Sequence, residues 1–183
     1  FTGYVFIEVC TIASCSLLML SKKTRALVAA TRYMVFSLIG SSLVLVGIIL
    51  LYAITGHLLF PQLYSTIQEL WATGEYTFPL TIALGLIVSG LAIKSGMFPF
   101  HFWMPDTYGT ATPSASGILS AVISKGYIFL LLKIIFRVIG YEVFLQSNIQ
   151  YVLFVFGICG MIVGSVSAIK TNNINFMIAY SSA

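Results

Sequence analysis

Four ionisable side chains, Glu8, Lys94, His101 and Lys125, fall inside or beside long apolar runs. Lys125 stands 12 residues after Pro113, roughly 18 Å along a helix that rises 1.5 Å per residue. That depth is near the midplane of a hydrocarbon layer about 30 Å thick. Lys94 follows Pro79 by 15 residues, roughly 22 Å, and Glu8 precedes Lys22 by 14, roughly 21 Å. A charge at the bilayer centre costs about 2.5–3.5 kcal/mol on insertion scales, so each of these residues needs a partner or a task. Burial favours the neutral form of acid and amine alike, and an opposite charge nearby favours the ionised form. A glutamate and two lysines in mutual reach can therefore exchange protons, as a proton relay requires. The pairing predicts a Glu8 carboxylate within roughly 4–6 Å of the Lys94 ammonium, or joined to it through water.

His101 lies in Pro99-Phe100-His101-Phe102-Trp103-Met104-Pro105-Asp106. An imidazole changes charge near neutrality and can hand protons between Lys94 and Lys125. The competing reading is an interfacial histidine beside an aromatic belt that includes Trp103. Structural readings compete for the others too. Lys94 can snorkel its stem to the nearer interface, and Glu8 can serve as the partner of a neighbouring helix. Lys133 and Arg137 read as interfacial anchors, with Lys133 also a candidate for a proton exit. His57 falls in a loop and reads as solvated.

These side chains need apolar helices to position them. The chain has 183 residues, 59% apolar and 8% charged, whereas soluble domains carry about 25% charged residues. Apolar stretches cover roughly Tyr4–Leu20, Thr31–Ile54, Pro79–Phe98, Pro113–Arg137 and Tyr151–Ile169, with another beginning at Phe176. Between the second and third lies Gly56–Thr77. There Leu63, Ile67, Leu70 and Trp71 recur at helical spacing, which predicts a short amphipathic helix in the interface. Gly96, Pro99 and Pro105 predict a helix break, because each proline ring removes a donor and clashes with the preceding turn. Tyr141–Gln150 reads as a connector. The fold expectation is all-α: a polytopic transmembrane helix bundle with one broken helix and one interfacial helix, forming a single transmembrane domain over 1–183. The absence of an initial Met and the short final apolar stretch read as a fragment of a longer subunit.

Charge gives an orientation. Lys22, Lys23 and Arg25 mark a cytoplasmic loop. Strict alternation then puts 56–77 and 138–150 outside, and 99–112 and Lys170 inside. Lys133 and Arg137 are the exceptions.

Other classes of function find little support. The net charge of +4 is scattered, which argues against nucleic acid. Cys10, Cys15 and Cys159 lie in apolar stretches and read as packed free thiols without a metal site. No GxGxxG, GxxxxGK[ST], HExxH or GxSxG motif is present, and three cysteines cannot hold an iron–sulfur cluster of four thiolates. No cofactor, and no redox or hydrolytic site, is expected in this chain.

The run from Lys94-Ser95-Gly96-Met97-Phe98-Pro99 to Trp103-Met104-Pro105-Asp106, followed by Thr112-Pro113-Ser114-Ala115-Ser116 and Ser124-Lys125-Gly126-Tyr127, resembles the antiporter-type membrane subunits of respiratory complex I and of Mrp cation–proton antiporters. The shared pattern is an intramembrane lysine, a proline break, a Trp-x-Pro-Asp segment, a Pro-Ser helix start and a second intramembrane lysine. Tyr4-Val5-Phe6-Ile7-Glu8 and Ile178-Ala179-Tyr180-Ser181-Ser182 resemble two further family segments. Relatives usually carry an acidic–Ile–Lys/Arg run where this chain reads Asn172-Asn173-Ile174-Asn175-Phe176.

The resemblance implies a proton-translocating membrane subunit. Glu8 would tune Lys94, Lys94 would store and release a proton, and Lys125 would pass it on. His101 is a weaker carry-over. Arg32 stands near a helix entrance where relatives carry a Lys or another polar residue, and with Lys133 it forms a secondary path. The implied partners are the bilayer, other membrane subunits of a multi-subunit antiporter or respiratory complex, protons, and Na+ as a candidate coupled ion. The expected location is a bacterial plasma membrane. In style, Trp103–Tyr108 and Ser124–Tyr127 favour a Mrp-type Na+/H+ antiporter over a subunit of NADH-quinone oxidoreductase or of a membrane-bound hydrogenase. The rival of another class is a charge-paired structural or assembly protein that transports nothing.

Overall fold

The computed structural model describes residues 1–21, 23–74 and 76–182. Lys22 of the basic loop, Glu75 and the final Ala183 lie outside the described residues. Among the described residues there are only helices, turns and short connections. Five helical spans are long and apolar enough to cross a membrane: Thr2–Met19, Thr24–Thr55, Thr77–Thr110, Pro113–Ile139 and Ile149–Lys170. This is an integral membrane helix bundle.

The first helix, α1 (Thr2–Met19), buries Ile7, Thr11, Ser14, Cys15 and Leu18, one stripe at helical spacing. The second, α2 (Thr24–Thr55), starts seven residues before the Thr31 expected from the apolar pattern. Ala26, Ala29 and Ala30 in that extra stretch are buried, so packing extends the helix through Arg25 and its neighbours. It ends at Gly56, whose φ of 71° supplies a left-handed cap. The short α3 (Phe60–Thr73) matches the expected amphipathic helix. It buries Leu63 and Ile67, and its flanks Leu70 and Trp71 pack on the same core.

The next helix, α4 (Thr77–Ser95), packs most extensively on α2. A Cβ on Gly40 would lie 2.9 Å from the Gly90 carbonyl, and one on Gly90 would lie 2.6 Å from the Gly40 carbonyl. The two backbones touch because neither position carries a side chain, the usual route to close helix packing in a membrane.

The predicted break falls where Gly96 takes a φ of 73°. A 3-10 turn at Phe100–Phe102 and the short α5 (Trp103–Thr110) follow. Pro105 is a correction: it is the third residue of α5 and does not break it. The first turn of a helix has no internal acceptors for its N–H groups, so a proline there forfeits no bond. The Trp103 indole donates to the Ile93 carbonyl at 3.2 Å and ties α5 back to the end of α4.

The fourth span is α6 (Pro113–Ile118) and α7 (Ser124–Ile134), joined by one π turn at Leu119–Ile123 and followed by another at Ile135–Ile139. The expected connector is partly helical: α8 covers Tyr141–Gln146. Then come α9 (Ile149–Lys170) and α10 (Ile174–Ser182), with α10 packed on α5 and α9.

Side-chain ties sort the helix ends into two groups. Gln68 donates to the Ile139 carbonyl at 3.0 Å, and Trp71 to Gln146 at 2.5 Å, joining α3 to the 138–150 region. Arg32, near the start of α2, pairs with Asp106 of α5 at the opposite end. Both groupings agree with strict alternation.

Candidate functional site

Lys94 sits one turn before the break and is 1% exposed. Its ammonium donates to Thr11 Oγ1 at 2.8 Å, lies 3.6 Å from Glu8 Oε1, and stands 5.6 Å from the centre of the Tyr127 ring. Three helices converge on one cation. Glu8 and Thr11, three apart on α1, share a face and reach it together. Tyr127 arrives from α7, with its negative ring face within cation–π range of about 6 Å. The close α2–α4 seam presses on the same residue, since a Cβ on Gly40 would approach Lys94 Cγ at 3.0 Å. The ion pair is asymmetric: the Lys94 side chain is fully enclosed, whereas that of Glu8 is 28% exposed.

The other anticipated residues are not gathered here. Lys125 is exposed and makes no hydrogen bond or ion pair with the described residues. It belongs to the outer face of α7, whereas Ser124 and Tyr127 face inward. Its depth along the helix was readable from residue count; its direction around the helix was not. His101 is 5% exposed and stacks on Phe98 at 5.6 Å and Phe102 at 4.6 Å between ring centres. Its Nδ1 has no hydrogen-bond partner among the described residues, and no bond joins it to Lys94 or Lys125. Arg32 is engaged with Asp106 at the surface rather than turned toward Lys94. Lys133 is exposed, 5.9 Å from the Phe60 ring centre of α3.

Beyond Thr11 and Tyr127, the bundle buries further uncharged polar residues. Tyr33 is 1% exposed, Tyr108 and Tyr127 are each 4%, and Thr11, Ser14, Ser37 and Ser124 are also buried. The hydroxyls of Tyr33 and Tyr127 are both buried. Neither tyrosine hydroxyl completes a hydrogen bond with a described residue. A buried hydroxyl left unpaired costs about 1–3 kcal/mol, so each of the two calls for a polar partner. Tyr108 and Ser124 make their own hydroxyl pair at 2.5 Å, and Ser124 also donates to the Leu119 carbonyl at 3.1 Å, which the π turn directs toward it. Charge and depth gave no signal for these residues. The one available signal was hydroxyls at helical spacing on otherwise apolar faces.

This arrangement can hold a proton on a fully enclosed amine, bias it with a carboxylate, and offer it a hydroxyl, that of Thr11, that both donates and accepts. Among the described residues no three His, Cys, Asp or Glu side chains cluster as metal ligands.

Comparison with known proteins gives a consistent set. The family model described as NADH:quinone oxidoreductase/Mrp antiporter, TM, matches residues 1–183. The chain is 32% identical over 183 residues to the NADH-quinone oxidoreductase subunit N of Desulforudis audaxviator (strain MP104C), covering 100% of this chain and 35% of that protein. It is also 32% identical over 184 residues to the subunit N of Rubrobacter xylanophilus (strain DSM 9941), covering 100% of this chain and 36% of that protein. The chain thus spans about a third of the length of the curated relatives it matches. Among solved structures, a chain of the membrane-bound sulfane sulfur reductase, an archaeal respiratory membrane complex, superposes with a TM-score of 0.86 at 28% identity, covering 98% of this chain and 35% of that one. A chain of the Mrp complex from Dietzia sp. DQ12-45-1b gives 0.83 at 24% identity, covering 100% and 33%. A chain of respiratory complex I from Thermus thermophilus gives 0.74 at 26% identity, covering 98% and 36%. These relatives are subunits of multi-subunit membrane complexes.

Proposed function

The chain belongs to the NADH:quinone oxidoreductase/Mrp antiporter transmembrane family, and from that premise we propose that it carries protons within an antiporter-like subunit of a respiratory NADH-quinone oxidoreductase. The Mrp-type assignment favoured by sequence style gives way to this alternative. The curated relatives compared here are subunits N of that oxidoreductase, whereas the likeness to the Mrp complex, at 24% identity, speaks for the fold. The bacterial sources of those subunits support a plasma-membrane location with other membrane subunits as partners.

The carrying observation is an enclosed lysine 3.6 Å from a glutamate carboxylate. In the proposed cycle Glu8 in its ionised form holds Lys94 protonated. Weakening that contact makes the enclosed ammonium unfavourable and releases its proton, since burial favours the neutral amine. Lys125, on the outer face of α7, receives the proton beyond the enclosed site. A purely structural ion pair would need no such coupling.

The test is proton translocation by the full-length subunit in its assembled complex, reconstituted in vesicles, with Lys94→Ala and Lys125→Ala. Both variants are expected to assemble and to translocate at least about a hundredfold more slowly, the lower end of what a positioned proton-transferring side chain contributes. Normal translocation in both removes the proposal. Driving the same vesicles with NADH or with a Na+ gradient separates the oxidoreductase reading from the Mrp-type one.

A further inference from the structure

Lys133 and Arg137 stand four residues apart on the fourth span. Both are exposed, and neither forms an ion pair with a described residue. Like charges at this helical spacing repel each other, so the pair is a local cost. Its place adds to the cost. It belongs to the same end of the bundle as α3, which strict alternation puts on the outer side, where basic residues are otherwise scarce. The two cations line an open groove of about 710 Å³ together with Phe136 and with Phe60, Pro61 and Tyr64 of α3. That volume is within the range of small-molecule sites. The Lys133 ammonium lies 5.9 Å from the Phe60 ring centre. The opposite wall is held firmly: Gln68 donates to the Ile139 carbonyl at 3.0 Å, and a Cβ on Gly140 would meet the Tyr64 ring at 2.9 Å. Deeper along the span an apolar ridge continues from the groove, with Phe129 70% exposed, Leu132 42% and Phe136 58%.

We propose that this groove binds one anionic phospholipid, its phosphate between Lys133 and Arg137 and an acyl chain along the Phe129–Phe136 ridge. A phosphodiester placed between the two cations turns their repulsion into attraction. The guanidinium fork of Arg137 can take two phosphate oxygens, and the Lys133 ammonium adds a point charge. Aromatic rings at headgroup level suit the walls of such a site, as they suit the interface in general. Charge decides the class of lipid, because basic pockets between spans select anionic headgroups. A soluble anion would satisfy the cations and leave the ridge bare, so the apolar surface below the groove argues for a lipid. Once seated, the lipid bridges α3 and the fourth span. This role is independent of proton carriage: a proton exit at Lys133 would need neither Arg137 nor the rings.

The experiment uses the full-length subunit in its assembled complex, delipidated in detergent. Native mass spectrometry counts the lipids retained as phosphatidylglycerol, or phosphatidylcholine with the same chains, is added back. A photoreactive phosphatidylglycerol reports which peptides it labels. Wild type should retain one more phosphatidylglycerol than Lys133→Gln/Arg137→Gln, with label on the peptides of α3 and of 129–137. Each single substitution should weaken that site about fivefold, and the two together about 25-fold, the scale of one basic residue near a charged membrane surface. High salt should release the lipid. The exchange Lys133→Arg/Arg137→Lys keeps both charges and should bind as wild type does. Lys170→Gln removes an exposed cation on α9 and should lose nothing. Equal retention of the two lipids, or an unchanged count in the double variant, would overturn the site. Absence of label from both peptides would also overturn it and make this face a contact with protein. Displacement of the lipid by inorganic phosphate at equal concentration would reduce the groove to an anion site and remove the lipid.

Discussion

Lys94 and Lys125 lie on neighbouring spans, each many residues from either end of its span, and meet opposite surroundings. The first is 1% exposed and touches a hydroxyl, a carboxylate and an aromatic ring. The second is exposed and makes no polar contact with the described residues. The difference arises from the faces of their helices. Around Lys94, the α4 residues Gly90, Leu91, Ala92, Ile93 and Ser95 are all buried, so every direction there leads into protein. On α7 only Ser124, Tyr127 and Leu131 are buried, a single stripe that excludes Lys125. An ion in the middle of a crowded helix must be compensated by its neighbours. An ion on a helix with one buried stripe finds no such compensation among the described residues.

That contrast can be broken or sharpened by measurement. The largest stability effect belongs to Lys94. Lys94→Ala leaves Glu8 Oε1 buried without its cation and should destabilise the assembled subunit by about 3 kcal/mol. Thermal unfolding in detergent measures this, and an unchanged Tm would mean that the pair is not coupled. Next is the seam beside it. Gly40→Ala drives a Cβ to 2.9 Å from the Gly90 carbonyl and 3.0 Å from Lys94 Cγ. Because one obstacle is backbone, the helices must separate, at a cost of about 1–3 kcal/mol. The same variant should slow translocation by shifting Lys94, whereas Gly85→Ala on α4, where a Cβ would meet open space, should change neither. The exposed Arg32–Asp106 pair ranks third. Its coupling in a double-mutant cycle should be about 0.2–1 kcal/mol and should shrink in high salt. Lys125→Ala is the smallest: a change within about 0.5 kcal/mol, despite its expected loss of translocation. A large fall in Tm for that variant would erase the distinction between the two lysines.

Much of this architecture was legible in the residues. Apolar length located the spans, and the Gly96–Pro99 stretch located the break, because backbone conformation is restricted by local chemistry. The Glu8–Lys94 pair was expected from opposite charges inside apolar runs and from the family resemblance, and the two side chains lie 3.6 Å apart. What escaped was set by packing around the helix axes. Tyr33 and Tyr127 are ordinary amphipathic residues until packing buries their hydroxyls without a partner among the described residues. The π turns at Leu119–Ile123 and Ile135–Ile139 left no mark in composition. Pro105 looked like a second break because its ring was counted without knowing which turn of a helix it would join. The seven extra residues of α2 were hidden by the basic residues Lys23 and Arg25, which are exposed, while buried alanines hold the helix.

The glycine contact between α2 and α4 sets how any transport cycle here can move. With bare backbones touching at Gly40 and Gly90, and no compressible side chain between them, the two helices form a fixed bearing rather than a sliding joint. Lys94 is mounted on that bearing. For the proton-carrying role proposed above, this contact predicts hopping through a frame fixed at α2 and α4, unlike carriers in which one half rocks against the other. A covalent cross-link between α2 and α4 should accordingly leave the rate of proton passage unchanged.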